Sequence, residues 1–337
     1  ENTLIGGLAG DAITSAYYNT ALGKDALSTN TLSSLNVAIG HSALKTLSAG
    51  GSETHNVAVG SNAGLSVTTG IQNTLIGGLA GDALTDADFN VALGYSALGA
   101  ATTSDGNTAI GRFALLSDTQ GNLSVAVGRD ALRAQNFTTD VDAYNVAVGG
   151  LAGTAVTTGL ANTLIGGRSG DALTDADYNV AIGESSLTSD TLGSRSVAIG
   201  FSALGNQNFT TATDTQNTAV GNAAGAAVTT ATFNTLIGSL AGTSLTTGTD
   251  NTLVGAVAGD ALTTGTTNVA VGISALGSDT LGSLSVAIGR RALLTQNFTT
   301  ATNVYNVAVG ASAGQSVTTG VSNTIIGGLA GDAITDA

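Results

Sequence analysis

The chain has 337 residues and is acidic, with 23 Asp and Glu against nine Lys and Arg and a formal net charge of −14. This charge argues against nucleic acid or an anionic membrane as a partner, because both attract basic residues. Cys is absent, which excludes disulfides, zinc thiolate sites and cysteine nucleophiles. Hydrophobic residues make up 42% of the chain, enough to bury a core, yet no apolar run approaches the ~20 residues of a membrane span.

A five-residue phrase, Asn-(Val/Thr)-(Ala/Leu)-(Ile/Val/Leu)-Gly, recurs from one end of the chain to the other. Its third residue is Ile once, at Ile325. The nineteen copies begin at Asn2, Asn19, Asn36, Asn56, Asn73, Asn90, Asn107, Ser124, Asn145, Asn162, Asn179, Ser196, Asn217, Asn234, Asn251, Asn268, Ser285, Asn306 and Asn323. Fourteen of the eighteen intervals are 17 residues. This period predicts an all-β parallel solenoid of about nineteen coils, a rod in which each coil contacts its neighbours. We interpret residues 1–337 as one continuous repeat domain, excerpted from a longer repetitive protein.

Each phrase is predicted to form a strand over offsets 0 to 4, counted from its Asn or Ser, since β-branched residues followed by Gly are typical of strands. Alternate side chains face opposite ways, so both faces are apolar. If Val57 and Val59 point into the core, Ala58 and its counterparts point outward and leave an apolar stripe. Such a stripe predicts a side-by-side homotrimer, because a closed ring of three chains covers it.

The corners of the coils are assigned to the recurrent Asn and Gly. Gly permits the positive φ of a sharp turn, and Asn hydrogen-bonds backbone and stacks on the Asn of the next coil. Representative corner residues are Asn36, Gly40, Asn56, Gly60, Asn145 and Gly149. A second short strand is predicted around the small residue at offset 7.

Two kinds of coil occur. Ten coils have Gly at offset 8 and an aliphatic residue at offset 11, and nine have Leu at offset 8. In several of the Leu coils the next apolar residue lies at offset 13, as at Leu32, Leu192 and Leu281. The apolar side chain therefore changes position while the core volume is conserved, as a densely packed core requires.

Each Ser-initiated coil contains the sequence Gln-Asn-Phe-Thr-Thr, at 135–139, 207–211 and 296–300, and is 21 residues long. These expanded loops carry Phe137, Phe209 and Phe298. An exposed Phe at equivalent loops indicates contact with a ligand or a clasp between chains, and we favour the clasp. Six other aromatic residues directly precede a corner Asn and are expected at an edge or a subunit seam: Tyr18, Phe89, Tyr144, Tyr178, Phe233 and Tyr305.

The phrases Asn-Val-Ala-Ile-Gly at 36–40 and 179–183, Asn-Val-Ala-Val-Gly at 56–60 and 145–149, and Ser-Val-Ala-Ile-Gly at 196–200 resemble the head repeat of trimeric autotransporter adhesins. Similar repeats occur in phage tail fibres. The resemblance covers essentially the whole chain. It implies a left-handed parallel β-roll, three of which pack side by side into an extracellular, adhesive head.

Other chemistries have weaker support. Two Asp clusters offer a weak Ca²⁺ site but are interpreted as solvated turns; they are Asp82, Asp86 and Asp88, and Asp171, Asp175 and Asp177. His41 and His55 lie in no triad-like arrangement. Pairs of Thr on three consecutive coils, starting at Thr229, Thr246 and Thr263, leave an ice-binding solenoid as an alternative. We expect no enzymatic activity, no cofactor and no resident metal.

The sequence therefore predicts a structural or adhesive segment of a trimeric extracellular fibre, on a bacterial surface or a virion. A host-cell or matrix ligand is the expected partner besides the homotrimer, with no nucleic acid and no membrane insertion. The alternatives are the ice-binding solenoid and a purely passive fibre spacer.

Overall fold

The computed structural model describes residues 1–336. The chain divides into two compact units, Glu1–Gly167 and Arg168–Ala337, and each is a stack of β-coils. The described residues contain no helix, and the strands within each unit pair in parallel. The predicted all-β parallel solenoid is confirmed, whereas the single continuous domain stays a prediction. None of the described residues belongs to a helix with the length and hydropathy of a membrane span.

In the first unit, ten three-residue strands begin successive coils and two two-residue strands lie at one corner. They are β1 (Thr3–Ile5), β2 (Thr20–Leu22), β3 (Val37–Ile39), β4 (Val57–Val59), β5 (Thr74–Ile76), β6 (Val91–Leu93), β7 (Thr108–Ile110), β8 (Gly121–Asn122), β9 (Val125–Val127), β10 (Val141–Asp142), β11 (Val146–Val148) and β12 (Thr163–Ile165). The short strands β8 and β10 pair with each other in parallel.

The second unit repeats this plan with nine three-residue strands and four two-residue strands. They are β13 (Val180–Ile182), β14 (Gly193–Ser194), β15 (Val197–Ile199), β16 (Thr213–Asp214), β17 (Thr218–Val220), β18 (Thr235–Ile237), β19 (Thr252–Val254), β20 (Val269–Val271), β21 (Gly282–Ser283), β22 (Val286–Ile288), β23 (Thr302–Asn303), β24 (Val307–Val309) and β25 (Thr324–Ile326). The short strands pair as β14 with β16 and β21 with β23.

The strands stack in register, so that residues at the same offset form columns. Thr74 pairs with Val91, and Leu75 pairs with Ala92. The strands occupy offsets 1 to 3 only, shorter than the predicted offsets 0 to 4, because the residues at both ends are committed to the corner. Identical columns follow from the nearly constant period of the sequence.

The strand faces are reversed relative to the orientation from which the outward stripe was predicted, in which Val57 and Val59 point into the core and Ala58 points outward. Ala58 and Leu75, at the middle of their strands, are fully buried, whereas Val57 and Val59 are only half-buried. The core accepts one small or medium side chain from each strand, because the turn on the other side fills the remaining space with the residues at offsets 7, 8 and 11. The outward columns are therefore Val or Thr at offset 1 and Ile, Val or Leu at offset 3.

The segment after each strand is a turn rather than the predicted second strand. Its residue at offset 7 is buried in nearly every coil, as at Ala26, Ala43 and Ala63. Backbone hydrogen bonds link these turns from coil to coil, for example from Leu44 N to the carbonyl oxygen of Ala63 at 3.0 Å. The two-residue strands near the expanded loops are the exceptions.

Left-handed residues bend each coil at three positions: before the corner Asn, at offset 6 and at offset 8. In one coil these are Phe89, Ser96 and Leu98, with φ of 60°, 50° and 55°. A left-handed conformation costs a non-glycine residue about 1–2 kcal/mol. The backbone N–H of each of the three donates to a carbonyl of an adjoining coil, at 3.0 to 3.1 Å. Hydrogen bonding between coils thus offsets the local strain.

The alternation at offset 8 is a packing exchange, as predicted. A β-carbon added at Gly64 would lie 2.8 Å from Leu75 Cδ1 and 2.9 Å from Leu44 Cδ2. The Gly therefore leaves room for Leu side chains of neighbouring coils. The predicted shift to offset 13 is wrong: Leu32 is 37% exposed. Offset 11 faces the core in both kinds of coil, and several Leu coils place a polar residue there, such as Gln135.

Gly at offset 4 is required at the corner, as predicted. Gly94 has φ of 140°, and a β-carbon there would lie 2.6 Å from the carbonyl oxygen of Gly111 in the next coil. The corner glycines Gly40, Gly60 and Gly149 have φ of 135°, 143° and 141°. Any side chain at this column would separate the coils.

The recurrent Asn forms a buried ladder within each unit, also as predicted, and the Ser-initiated coils interrupt it. The side-chain oxygen of Asn234 accepts the backbone N–H of Asn251 at 3.0 Å and its Nδ2–H at 3.1 Å. Asn234 Nδ2 in turn donates to the carbonyl of Gly248 at 3.0 Å. In the first unit, Asn36 Oδ1 accepts the backbone N–H of Asn56 at 3.0 Å, and its second donor is the Thr54 hydroxyl at 2.8 Å.

Replacing one rung of this ladder should destabilise the second unit. We expect Asn234→Ala to lower the free energy of unfolding by about 1–3 kcal/mol, because it leaves the buried N–H of Asn251 and the carbonyl of Gly248 without partners. Urea denaturation followed by circular dichroism measures the change. Asn222→Ala, at an exposed turn of the preceding coil, is the control and should stay within about 0.5 kcal/mol of the parent. Equal stability of both variants would contradict the role of the ladder.

Candidate functional site

The expanded loops fold back onto their own chain. Phe137, Phe209 and Phe298 are only 6%, 7% and 8% exposed, so the predicted exposure of these rings is wrong. The reason is visible at Phe137, whose ring packs on Gly121: a β-carbon added there would lie 2.7 Å from Phe137 Cδ2. Contact of these rings with a ligand or another chain stays a prediction, and exposure no longer supports it.

Each expanded loop closes over a buried carboxylate that the sequence interpretation missed. Asp190 is fully buried, and its Oδ1 accepts the backbone N–H of Gly193 at 3.1 Å and of Phe209 at 2.9 Å. Its Oδ2 accepts Gln207 Nε2–H at 2.6 Å. Asp118 and Asp279 have equivalent contacts. Fixed N–H donors take the place of a cation, as a buried charge requires.

A sequence signal for this pair was present. Every Gln of the Gln-Asn-Phe-Thr-Thr sequence has an Asp 17 residues before it, at the same offset of the preceding coil. Asp190 and Gln207 are such a pair. Because the coils stack in register, the two side chains must meet in the core at offset 11.

The same Gln explains why the corner Asn is Ser in these three coils. Gln207 Nε2 donates to Ser196 Oγ at 2.8 Å, and Gln207 Oε1 accepts Asn217 Nδ2–H at 2.9 Å. The Gln side chain thus bridges the gap that the shorter Ser leaves in the Asn ladder. Gln135 and Gln296 make the same two contacts. The expanded loops are therefore built as internal braces.

The aromatic residues before the corner Asn face solvent in this chain. All six are at least half exposed and left-handed: Tyr18, Phe89, Tyr144, Tyr178, Phe233 and Tyr305. The Tyr144 hydroxyl donates to Asp142 Oδ2 at 3.1 Å, and this bond with the nearby carboxylate charge raises the pKa of Tyr144. Their place at a subunit seam stays a prediction.

The titratable clusters do not form a metal site in residues 1–336, where no three His, Cys, Asp or Glu side chains converge suitably. Asp88 Oδ1 instead accepts the backbone N–H of Ile71 at 2.7 Å, and Asp105 Oδ1 accepts that of Asp88 at 2.7 Å. These carboxylates brace the corner between coils. His55 Nε2 lies 3.8 Å from Glu53 Oε2 at the surface.

The Thr pairs that suggested ice binding have two different environments. The hydroxyl of Thr229 donates to the carbonyl of Thr246 at 3.1 Å, and that of Thr246 donates to Thr263 at 3.0 Å. This column therefore bonds its own backbone. The second residues of these pairs, Thr230, Thr247 and Thr264, are exposed. This run of exposed Thr is three coils long.

Two partly buried Asp carboxylates on the turns have a raised pKa. Burial raises the pKa of Asp82 and of Asp260, with a smaller opposing effect from a backbone N–H. Both lie at offset 9, 89 residues from Asp171 on either side. At Asp171, Oδ1 accepts the Thr188 hydroxyl at 2.5 Å, whereas the coils after Asp82 and Asp260 have Gly99 and Gly277 at the position of Thr188.

Comparison with protein-family models, with curated proteins and with solved structures gave no match for this chain. The resemblance to adhesin head repeats therefore stays an expectation from the quoted phrases.

The brace between Asp190 and Gln207 predicts a measurable cost of mutation. Gln207→Ala should lower the free energy of unfolding by about 1–3 kcal/mol, because it removes a donor from a buried carboxylate. The neighbouring Asn208→Ala removes an exposed amide and should change it by less than about 0.5 kcal/mol. Urea denaturation compares the two; a Gln207→Ala variant as stable as Asn208→Ala would count against the brace.

The raised pKa values predict a pH dependence with a definite sign. The folded state binds protons at Asp82 and Asp260 more tightly than the unfolded state, whose reference pKa is 3.8. Their contribution to stability is therefore fully present below that value and is lost as pH rises through the folded pKa. We expect the double variant Asp82→Asn and Asp260→Asn to melt at a higher temperature than the parent at pH 7, and the difference to vanish in acid.

The matched control is Asp171→Asn, which removes the same charge at the same turn position from a carboxylate that already has a hydroxyl donor. It should give no gain at pH 7. Thermal melts followed by circular dichroism at several pH values test both. Asp171→Asn removes one charge and the double variant removes two, so a gain from Asp171→Asn of about half the gain from the double variant would mean that net charge, rather than burial, controls the effect.

Proposed function

We propose that this chain is a structural and adhesive segment of a trimeric extracellular fibre, on a bacterial surface or a virion. The observation that carries the proposal is the outward strand face. It is uncharged, carries an aliphatic residue at offset 3 and Val or Thr at offset 1, and is repeated on every coil of both units.

The outward face consists of the columns at offsets 1 and 3. No charged residue occurs at offsets 1 to 3 of any coil, although the chain as a whole carries 32 charged residues, 9 basic and 23 acidic. Large aliphatic side chains on this face are exposed well inside the units, as at Leu93, Ile237 and Ile288. A contiguous exposed apolar surface of this kind is typical of a protein interface.

Two further copies of the same chain are the occupants we propose for this face. A flat, in-register column on one copy matches an identical column on another, and a closed ring leaves no apolar surface for open-ended aggregation. The resemblance to adhesin head repeats favours three copies over two. The outward face supports the trimer whether or not Phe137, Phe209 and Phe298 contact another chain.

Attachment follows from repetition. Each coil presents its turns to solvent at nearly the same spacing, so a weak contact on one turn is multiplied by copies on the other subunits. Side chains on the turns vary more from coil to coil than those of the core and the ladder. The variable turns are where we place ligand contact, and a passive spacer is the alternative if they bind nothing.

The oligomer has a direct test. The parent chain should have a molar mass in solution of three times 32.6 kDa, measured by sedimentation equilibrium. The double variant Ile237→Lys and Ile288→Lys should dissociate it, because each Lys would place an uncompensated charge in an apolar interface. Both residues are 39% exposed, so each chain retains its fold, as circular dichroism should show.

The control variant adds the same two charges away from the outward face, as Thr230→Lys and Thr247→Lys, at exposed turns. It should remain trimeric. A monomeric parent at micromolar concentration would overturn the trimer. Dissociation by the control as well would show that added charge alone disrupts the assembly.

A further inference from the structure

A cluster of arginine and aromatic side chains lies on the turns of three consecutive coils in the first unit. We call it the Arg112 patch, and its residues are Tyr95, Arg112, Phe113, Arg129 and Arg133. All are exposed except Phe113, which is half-buried. Coils stack at about 4.8 Å, so the patch runs along the stack for roughly 10 Å.

The aromatic rings and guanidinium groups of the patch form one connected surface. The Tyr95 and Phe113 rings meet edge to face, with centroids 5.7 Å apart. Arg112 Cζ lies 4.3 Å from the Phe113 centroid, and Arg133 Cζ lies 5.3 Å from it. Both distances are within the range of cation–π attraction. The Phe113 ring therefore holds two guanidinium groups beside the exposed Tyr95 ring.

The patch concentrates positive charge on an acidic chain. Three of the nine basic residues are here, and the acidic residue that faces them is Asp130. Arg129 Nε and Arg133 Nη1 lie 3.7 Å and 3.6 Å from its carboxylate oxygens and form ion pairs with it, at distances too long for hydrogen bonds. The side chains of Arg129 and Arg133 are 61% and 51% exposed. Their N–H groups are therefore open to a ligand.

The position of the patch is fixed by the coil-to-coil hydrogen bonds. Asp130 N donates to the carbonyl of Arg112 at 3.0 Å, and Phe113 N donates to that of Tyr95 at 3.1 Å. The turns that carry the five side chains are therefore held at constant spacing. Preorganised groups lose less entropy on binding than mobile ones.

We propose that the Arg112 patch binds an acidic polysaccharide, with Arg112, Arg129 and Arg133 holding its carboxylate or sulfate groups. Guanidinium groups match such planar or multi-oxygen anions by paired hydrogen bonds. The Tyr95 ring offers a flat apolar platform for a sugar face. This inference rests on the attachment role proposed above and names its ligand class.

The charge distribution favours a polysaccharide over nucleic acid. A net charge of −14 repels a densely charged phosphate backbone beyond the patch. Duplex DNA carries one negative charge per about 1.7 Å of its axis. A polymer with one carboxylate per sugar ring carries fewer charges over the same length and meets less of that repulsion. The patch is also an open surface, since no pocket occurs in the part of the chain that the structure describes. An extended polymer can lie across it along the stack.

Binding of defined polymers to the full 337-residue chain tests the proposal, using surface plasmon resonance. The acidic probes are oligogalacturonate, which carries carboxylates, and dextran sulfate, which distinguishes sulfate. Neutral dextran, poly-glutamate and single-stranded DNA are the comparison probes. We expect binding of at least one acidic polysaccharide and none of neutral dextran. Failure of both acidic polysaccharides, or equal binding of poly-glutamate or DNA, would overturn the proposal.

Variants then locate the site. Arg112→Gln with Arg129→Gln should weaken binding at least about tenfold, because both anion contacts are lost. Tyr95→Ser should weaken it by about threefold or more, since a stacking platform is removed. The matched control is Arg290→Gln with Arg291→Gln, an exposed pair on another Ser-initiated coil, and it should leave affinity within about twofold. Equal losses from the control and the patch variants would overturn the site.

The polysaccharide-binding experiment and the trimer test have independent outcomes. A trimer that binds no acidic polysaccharide would refute the Arg112 patch and leave the fibre proposal standing. A monomer that binds oligogalacturonate through Arg112 would do the reverse.

Discussion

The buried Asn ladder is the interaction on which the rest of each unit depends. One side-chain amide per coil receives the backbone N–H of the next coil and donates to a carbonyl across the corner. Each such bond contributes about 1 kcal/mol and leaves a larger cost if its partner is missing. Because the ladder accepts only one spacing, it fixes the register, and the register fixes which columns face the core. The corner Gly, the buried Ala and the outward aliphatic columns all follow from that alignment.

A solenoid with so narrow a core turns often, and here the turns are made largely by residues other than Gly. Leu, Ser, Tyr and Phe adopt left-handed φ at positions where a short loop would ordinarily use Gly. The arrangement is sustained because the same residues donate their N–H groups to neighbouring coils. Contacts between coils therefore outweigh the backbone preference of these residues, and a single isolated coil is not expected to keep this conformation.

The features that depend on the repeat period could be predicted from the sequence. The features that depend on which way a side chain points could not. Strand positions, parallel pairing, and the roles of Gly40 and Asn56 follow from a repeated phrase. The inward face did not, because Ala58 and Val59 are both apolar and alternation alone does not choose between them.

The sequence interpretation places Phe137 outside because its loop is longer, although the added residues fold back over Gly121. The buried Asp118 was missed because its partner Gln135 lies on another coil, and only in-register stacking brings the two together. The Arg112 patch likewise needs three coils to be seen at once.

In-register stacking also constrains how such a chain changes length over evolutionary time. Removal of one whole coil keeps every column in register. Coils of 20 or 21 residues keep the register as well, because their extra residues lie outside the strands. The segments from Asn56 to Asn145 and from Asn217 to Asn306 are each 89 residues, and the segment between them is 72. The difference is one 17-residue coil. In all three segments the coil that carries the buried Asp directly precedes the Ser-initiated coil, because the Asp and the Gln of the brace must lie on neighbouring coils. A whole coil can therefore be added or removed elsewhere without disturbing the columns, whereas the two coils joined by the brace must stay together.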